Sequence, residues 1–445
     1  MSYFCIYRLI LQCALLATSV SSVHAKPLLT NSEDTYESVC LAYGDTPQRL
    51  VEICGRALET TGASDAERLS MMDSLAWAHE AMGNVAEARR IFEAMYALDP
   101  HSAFALNGLG WLSFMSDSYP EAAQWFEKAM NVRSEAQSLA GFSSSRYHAG
   151  DMSAAEALEF LDAALAISPD YDWAMRQRAW ILIDEGRLEE ASAAFEVALD
   201  IDPDDAQASY GMAYILVEQE DWRRALPYVN RALQVDPDYV SALSYRSLIL
   251  LNLGRAAQAL KDGQRVVDLY PDTSDGYVRV ARAQAALGRS ADALATLETA
   301  QERAGYDSYL SYWQAELLWN NDRVDDALAE IEQVFSRGDA DYYAHELKAQ
   351  ILLNASRTEE ARMAVDTALE AHPGAPWLIF YDSIVLIGEG KYALAEVRFD
   401  VAVKQGLPRE ELPVFLRQLT GAARYVQAVK MRVRYRDQAD AEPDG

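Results

Sequence analysis

Residues 172–205 read DWAMRQRAWILIDEGRLEEASAAFEVALDIDPDD. A helical pattern over 173–185 ends at Gly186, a residue that permits the tight turn closing a helix. A second pattern, 188–200, carries Ala191, Phe195 and Ala198 at helical spacing on one face. Pro203 then breaks the chain. The stretch is one helix–turn–helix. Its alanines are small enough for two helices to approach closely, and Phe195 fills the space beside them.

Outward from this stretch the same marks return. Ala157, Ala191, Ala225, Ala259, Ala293, Ala327, Ala361 and Ala395 stand 34 residues apart. Ala88 and Ala122 repeat the step upstream, and one extra residue separates Ala122 from Ala157. The turn glycine recurs as Gly83, Gly254, Gly288 and Gly390, and the second-helix aromatic as Phe92, Phe126 and Phe399. The closing proline recurs as Pro100, Pro169, Pro237, Pro271 and Pro373. A strict period of this size is the signature of a solenoid, in which each unit packs only on its neighbours. Length therefore does not divide into ordinary domains.

These marks make the chain resemble the tetratricopeptide repeat family. The small first-helix residue of that pattern is here Ala76, Gly110, Ala179, Ala213, Ser247, Ala281, Ala315, Ala349 and Ser383. The resemblance covers about residues 69–409 as ten units and implies an all-α, right-handed superhelical solenoid. Residues 26–68 are expected to cap its N-terminus. Residues 410–438 are expected to form a basic capping helix, and 439–445 a disordered tail. The sequence departs from the pattern in places. Gly263 and Val266 weaken one second helix, and Gly305 and Asp339 stand where a closing proline belongs. The third unit, with LAGFSSSRYHAGD at 139–151, carries the extra residue and is the candidate for a local kink.

The ends and the charge bear on location. Residues 1–25 hold one base, Arg8, and no acid, with an apolar run LILQCALLATS and then Val23-His24-Ala25. This fits a secretory signal cleaved after Ala25. An uncleaved anchor, or lipidation at Cys13, is the alternative, although Gln12 fits a lipid signal poorly. The protein is then exported, and periplasmic in a Gram-negative cell. No later run is long enough for an integral membrane span. The formal charge is −29, and removing residues 1–25 leaves −30. Such a body argues against nucleic acid and against anionic membrane surfaces as partners. Cys5 and Cys13 leave with the signal. Cys40 and Cys54 remain, on two short helices expected to break at Gly44-Asp45. In an oxidising compartment this pair is expected to form a disulfide worth about 3 kcal/mol of loop closure. Two buried thiols or a redox pair are the alternatives. The bases Arg424, Lys430, Arg432, Arg434 and Arg436 are expected to pair with the acidic solenoid, the alternative being a docking patch for an acidic partner.

Function is sought on the surface the repeat presents. The resemblance implies a non-enzymatic scaffold binding peptide or protein segments on a concave wall lined by first helices. The ninth residue of the unit is Trp77, Trp111, Trp180 and Tyr214 in units one, two, four and five, and Arg146 in unit three. The same stripe adds Phe104 and Phe114 around Trp111, Trp173 and Ile183 around Trp180, and Tyr309, Tyr312, Glu316 and Trp319 in unit eight. Stacked, these would form an aromatic ladder, a surface of the kind where binding energy concentrates. Interhelix packing explains the same residues, and the sequence leaves the choice open. Arg176, Arg279 and Arg282 are candidates to hold a partner's carboxylate, though the lysine–asparagine clamp of chaperone-binding members is not matched. A glycan is the alternative ligand, as in a polysaccharide-associated subunit of an export system.

Chemistry is not expected. His79-Glu80 and His345-Glu346 lack the second histidine of a helical zinc site. Gly388-Glu389-Gly390-Lys391 lacks phosphate-loop spacing, and no G-x-S-x-G elbow occurs. No catalytic residue, metal site or cofactor is assigned.

Overall fold

A computed structural model describes Cys40 and residues 46–59, 62–408 and 411–421. Among these residues there are twenty-two α-helices and no strand. Helix α1 (Pro47–Glu59) precedes ten helix pairs. The first six are α2 (Asp65–Ala81) with α3 (Val85–Leu98), α4 (Ala103–Met115) with α5 (Tyr119–Val132), α6 (Ala136–His148) with α7 (Ala154–Ile167), α8 (Asp172–Asp184) with α9 (Leu188–Ile201), α10 (Ala206–Glu218) with α11 (Trp222–Val235), and α12 (Val240–Asn252) with α13 (Ala256–Leu269). The last four are α14 (Ser274–Ala286) with α15 (Ser290–Ala304), α16 (Ser308–Asn320) with α17 (Val324–Arg337), α18 (Tyr342–Asn354) with α19 (Thr358–Ala371), and α20 (Pro376–Gly388) with α21 (Tyr392–Lys404). Helix α22 (Leu412–Gly421) follows. The all-α solenoid expected from the repeat is what these residues build. They fall into two compact halves, one ending at Leu253 and the other beginning at Gly254, in the turn of the sixth pair.

The periodic alanines close the pairs. Ala88, Ala122, Ala157, Ala191, Ala225, Ala259, Ala293, Ala327, Ala361 and Ala395 all have zero exposure. A methyl at this position is the largest group that lets two backbones meet. The turn between paired helices needs a left-handed residue, and all ten turns have one. Six are glycines: Gly83, Gly150, Gly186, Gly254, Gly288 and Gly390. Asp117, Glu220, Asp322 and Ser356 hold the same conformation with φ between 56° and 60°. The following N–H then reaches back five residues, as when Arg187 donates to the Leu182 carbonyl at 2.8 Å. The acidic pairs Glu189-Glu190 and Asp325-Asp326 sit in the first turns of α9 and α17, where the helix dipole favours them.

Successive units fit by size. The ring of Phe92 lies where a Cβ on Gly108 would stand, 2.3 Å away. Phe126 fills the space over Gly110 and Gly141, and Phe195 that over Gly211, at 2.8, 2.5 and 2.3 Å. Gly263 reverses the arrangement. It occupies the position of the aromatic, and the next first helix moves against it, with the Arg279 Cβ and the Val280 nitrogen each 2.9 Å from where its Cβ would be. Gly263 is thus a close-packing site, and Val266 beside it is buried.

The extra residue of unit three is confined to its connections. Residues 149–153 join α6 to α7, against three residues in the neighbouring turns, while only 133–135 lead into α6. Both helices keep their neighbours' lengths. At the N-terminus, α2 starts at Asp65, four residues before the expected edge of the first unit. Ser64 and Glu67 form a capping box that fixes this start. The earlier helix of the expected cysteine pair, Cys40 excepted, lies outside the described residues. So do the signal at 1–25, the basic segment from Arg424 to Arg436 and the tail. The described part of the C-terminal cap seats Phe415 face-on against Phe399, centroids 4.4 Å apart, with Leu419 fully buried.

Candidate binding surface

Within each half the backbones of successive first helices approach one another, while second helices pack closely on first helices and meet each other through side chains, as Tyr96 on α3 meets Trp125 on α5 at 5.3 Å. The first-helix row is therefore the tighter one. This is the side on which the ninth residues lie.

In the N-terminal half, Trp77, Trp111 and Trp180 stand edge-on to Phe92, Phe126 and Phe195 of their own units, with centroids 5.4, 5.0 and 5.6 Å apart. All three tryptophans remain half-buried. Each ring therefore packs on its unit's phenylalanine and also reaches solvent, so packing and exposure are combined in the same side chain. Trp111 on α4 also meets Trp173 on α8, two units on, at 4.4 Å. The intervening first helix, α6, makes room because it carries Gly141, Ser143, Ser144 and Ser145, all buried. Arg146, at the ninth place of that unit, turns away and donates to the Asp151 carbonyl at 3.0 Å. Phe114 and Tyr171 pack on Trp173, and His148 stacks on Tyr119. Burial pushes the His148 imidazole below its usual pKa, with Asp184 and Asp117 opposing. Phe104 on α4 is 48% exposed.

A second cluster follows. Trp180 contacts Tyr210 and Tyr214, and Tyr245 contacts both tyrosines. Tyr210 is fully buried, whereas Tyr214 is half-buried. One turn after Tyr214, burial pushes the Glu218 carboxyl up to about 7, against the lowering effect of the Tyr214 hydrogen bond.

In the C-terminal half the ninth residues are Arg282, Glu316, Gln350 and Ile384. The Arg282 guanidinium lies over the Trp313 ring, 4.1 Å from its centroid. Gln350 donates to the Tyr381 hydroxyl at 2.5 Å, and that hydroxyl donates to Glu346 at 3.2 Å. Tyr309 is buried at 4% exposure, and Tyr312 and Trp319 are half-buried.

Two of the expected carboxylate-holding arginines already hold carboxylates of their own chain. Arg176 is 8% exposed and bonds Asp205 at 2.6 Å and Asp172 at 2.8 Å. Arg279 has zero exposure and donates twice to Asp275, at 2.9 and 3.1 Å. Their spacing put them near the stripe, but each is turned inward by an acid, Asp172 or Asp275, four residues before it. That i, i+4 pairing was legible in the sequence. Tyr119, Tyr171, His148 and Trp313 join the clusters without having been singled out.

Cys40 and Cys54 are fully buried with their Cα atoms 5.1 Å apart, within the span of a disulfide. Among the described residues no group of His, Cys, Asp and Glu is arranged to hold a metal ion, and no helix is long and apolar enough to cross a membrane.

Comparison with known proteins gives the fold a name. Two family models, each described as a tetratricopeptide repeat, match the chain, one at residues 150–215 and 182–249, the other at 74–136, 279–334 and 312–376. No curated protein matches the sequence. Among solved structures, yeast Tom70 is 15% identical, with 87% of this chain and 93% of that one covered and a TM-score of 0.53. A chain of the APC/C hetero-tetramer Cut9–Hcn1 is 12% identical, with 89% and 84% covered and a TM-score of 0.51. A tetratricopeptide repeat protein from Parabacteroides merdae ATCC 43184 is 18% identical, with 60% and 98% covered and a TM-score of 0.48. At such identities the likeness is one of fold. With ten helix pairs on a 34-residue period and family models matching in five stretches between residues 74 and 376, the chain belongs to the tetratricopeptide repeat family.

Proposed function

We propose that this protein is a non-catalytic scaffold that binds a segment of another protein on the first-helix side of its N-terminal half. The observation that carries the reading is the group Phe104, Trp111 and Trp173. Trp111 and Trp173, from units two and four, meet across a first helix of small residues and keep exposed area, and Phe104 adds an exposed ring on the same helix as Trp111. Rigid aromatic surface of this kind supplies large contact area at low entropic cost. An apolar or proline-containing segment suits it, because such a segment can lay successive side chains against the rings.

The test is a peptide array probed with the full chain and with Trp111→Ala and Trp173→Ala variants, their folding checked by circular dichroism. Bound peptides should lose about thirtyfold in affinity, on the order of 2 kcal/mol, with either variant. Equal binding by parent and variants overturns the proposal. So does quenching of tryptophan fluorescence by glycan oligomers when no peptide quenches it, which would move the protein to the polysaccharide-associated reading.

We further infer that the protein is exported and works at the cell envelope, with Cys40 and Cys54 joined as a disulfide that pins α1 beside the solenoid. The signal-like residues 1–25 and the burial of both cysteines support this. Thiol titration of unfolded, secreted protein should find no free thiol. Two free thiols per chain would remove the disulfide and the argument for an oxidising compartment.

A further inference from the structure

Between the first helices α14 and α16 lies a cavity of about 150 Å3, with Arg282, Trp313, Glu316 and Asn320 on its polar side and Leu297 and Leu317 on its apolar side. Arg282 is committed to the Trp313 face. Glu316 stands one turn beyond Trp313, and its Oε2 is buried with no hydrogen-bond partner. A buried acceptor left unpaired is costly, more so if charged. Burial holds the Glu316 carboxyl above its usual range even though the Arg282 charge favours ionisation. Gln350, the ninth residue of the next unit, is by contrast hydrogen-bonded to Tyr381. Glu316 thus lines the cavity with a carboxyl group of which one oxygen, Oε2, is buried beside it without a partner.

We propose that this cavity is a pocket for a lysine side chain presented by a bound protein segment, its ammonium donating to Glu316 and its methylene stem lying on Leu297 and Leu317. The volume is that of about five waters, enough for an aliphatic amine. A cation makes the stronger bond to a carboxylate, and a body of charge −29 concentrates cations near it. A compact ammonium can serve a single carboxylate oxygen, whereas a guanidinium fork is built for two. The proposal rests on the reading that the protein binds segments of other proteins, but it concerns the other half of the chain.

The experiment titrates the full chain, carrying 15N-labelled tryptophan, with Nα-acetyl-lysine amide and with Nα-acetyl-norleucine amide. The Trp313 indole signal is assigned by its loss in Trp313→Phe. The lysine probe should shift this signal saturably and the norleucine probe should not. Glu316→Gln should weaken the lysine response about tenfold with the remaining indole signals unmoved. Ala285→Leu, which fills the cavity from its rim, should abolish the response. Equal responses to both probes, no response to either, or unchanged binding by Glu316→Gln overturns the pocket. The Trp111 and Trp173 signals report the N-terminal surface separately, so failure of either proposal is visible without the other.

Discussion

Gly211→Val is expected to destabilise the N-terminal half by about 3 kcal/mol, at the upper end of what overpacking a core costs. The Cβ alone would stand 2.3 Å from the Phe195 ring. That ring cannot retreat. It has zero exposure, and Trp180 closes on it edge-on at 5.6 Å. The loss should be read as a lowered urea midpoint by far-UV circular dichroism. A solenoid unfolds by neighbouring units, so the earliest transition is the one to compare. Phe195→Ala should by itself cost about 3–5 kcal/mol through the cavity it leaves. The double variant should be better than the sum of the two, because the valine then occupies space the ring has vacated. A single variant within about 0.5 kcal/mol of the parent, or strictly additive losses, would show that the ring and the glycine are not a fitted pair.

This pairing explains what could be read from the sequence and what could not. Ala191, Phe195 and Gly186 belong to one unit, and their period exposed the helix pair and its turn. Gly211 lies in the next unit, and nothing in its own helix announces that Phe195 will fill the space above it. The same holds for Gly263. By propensity it weakens a helix, yet it is the space into which α14 brings Arg279. Contacts between units depend on the crossing of helices from different repeats, and a one-dimensional period carries no information on that. The turns show a related limit. Glycines marked only some of them, because Asp117, Glu220, Asp322 and Ser356 adopt the left-handed conformation without announcing it.

The aromatic stripe was legible as a list of side chains and not as an arrangement. Spacing placed Trp111 and Trp173 on one face of their helices. It could not place them 4.4 Å apart, because that distance depends on how thin α6 is between them. The irregular third unit, read as a candidate kink, takes up its extra residue in the turn at 149–153 and contributes the small residues that let the tryptophans meet. In units seven to nine of the C-terminal half the same ninth position turns polar, as Arg282, Glu316 and Gln350, before Ile384 in the last unit.

The second large effect separates two variants that remove the same ion pair. Asp275→Ala is expected to cost about 3–5 kcal/mol, and Arg279→Met less than about 2 kcal/mol. Arg279 has zero exposure, and Asp275 accepts from both its Nε and its Nη2. Burial already pushes the Arg279 pKa down to about 10, so its charged form is poorly solvated where it stands. Removing Asp275 leaves that charge in the core without its carboxylate. Asp275 also sits in the first turn of α14, where an acid is favoured by the helix dipole, by about 0.3–1 kcal/mol. Arg279→Met removes the charge, keeps most of the volume packed against Gly263, and leaves Asp275, whose side chain is 14% exposed, closer to water. Combining Asp275→Ala with Arg279→Met should therefore be less damaging than Asp275→Ala alone, since no charge remains to be stranded. Urea midpoints of the three variants decide the matter. If Arg279→Met is the worse single change, the arginine stabilises this half through its charge. The packing of α14 against Gly263 would then depend on the ion pair rather than on the fit of one large side chain over a glycine.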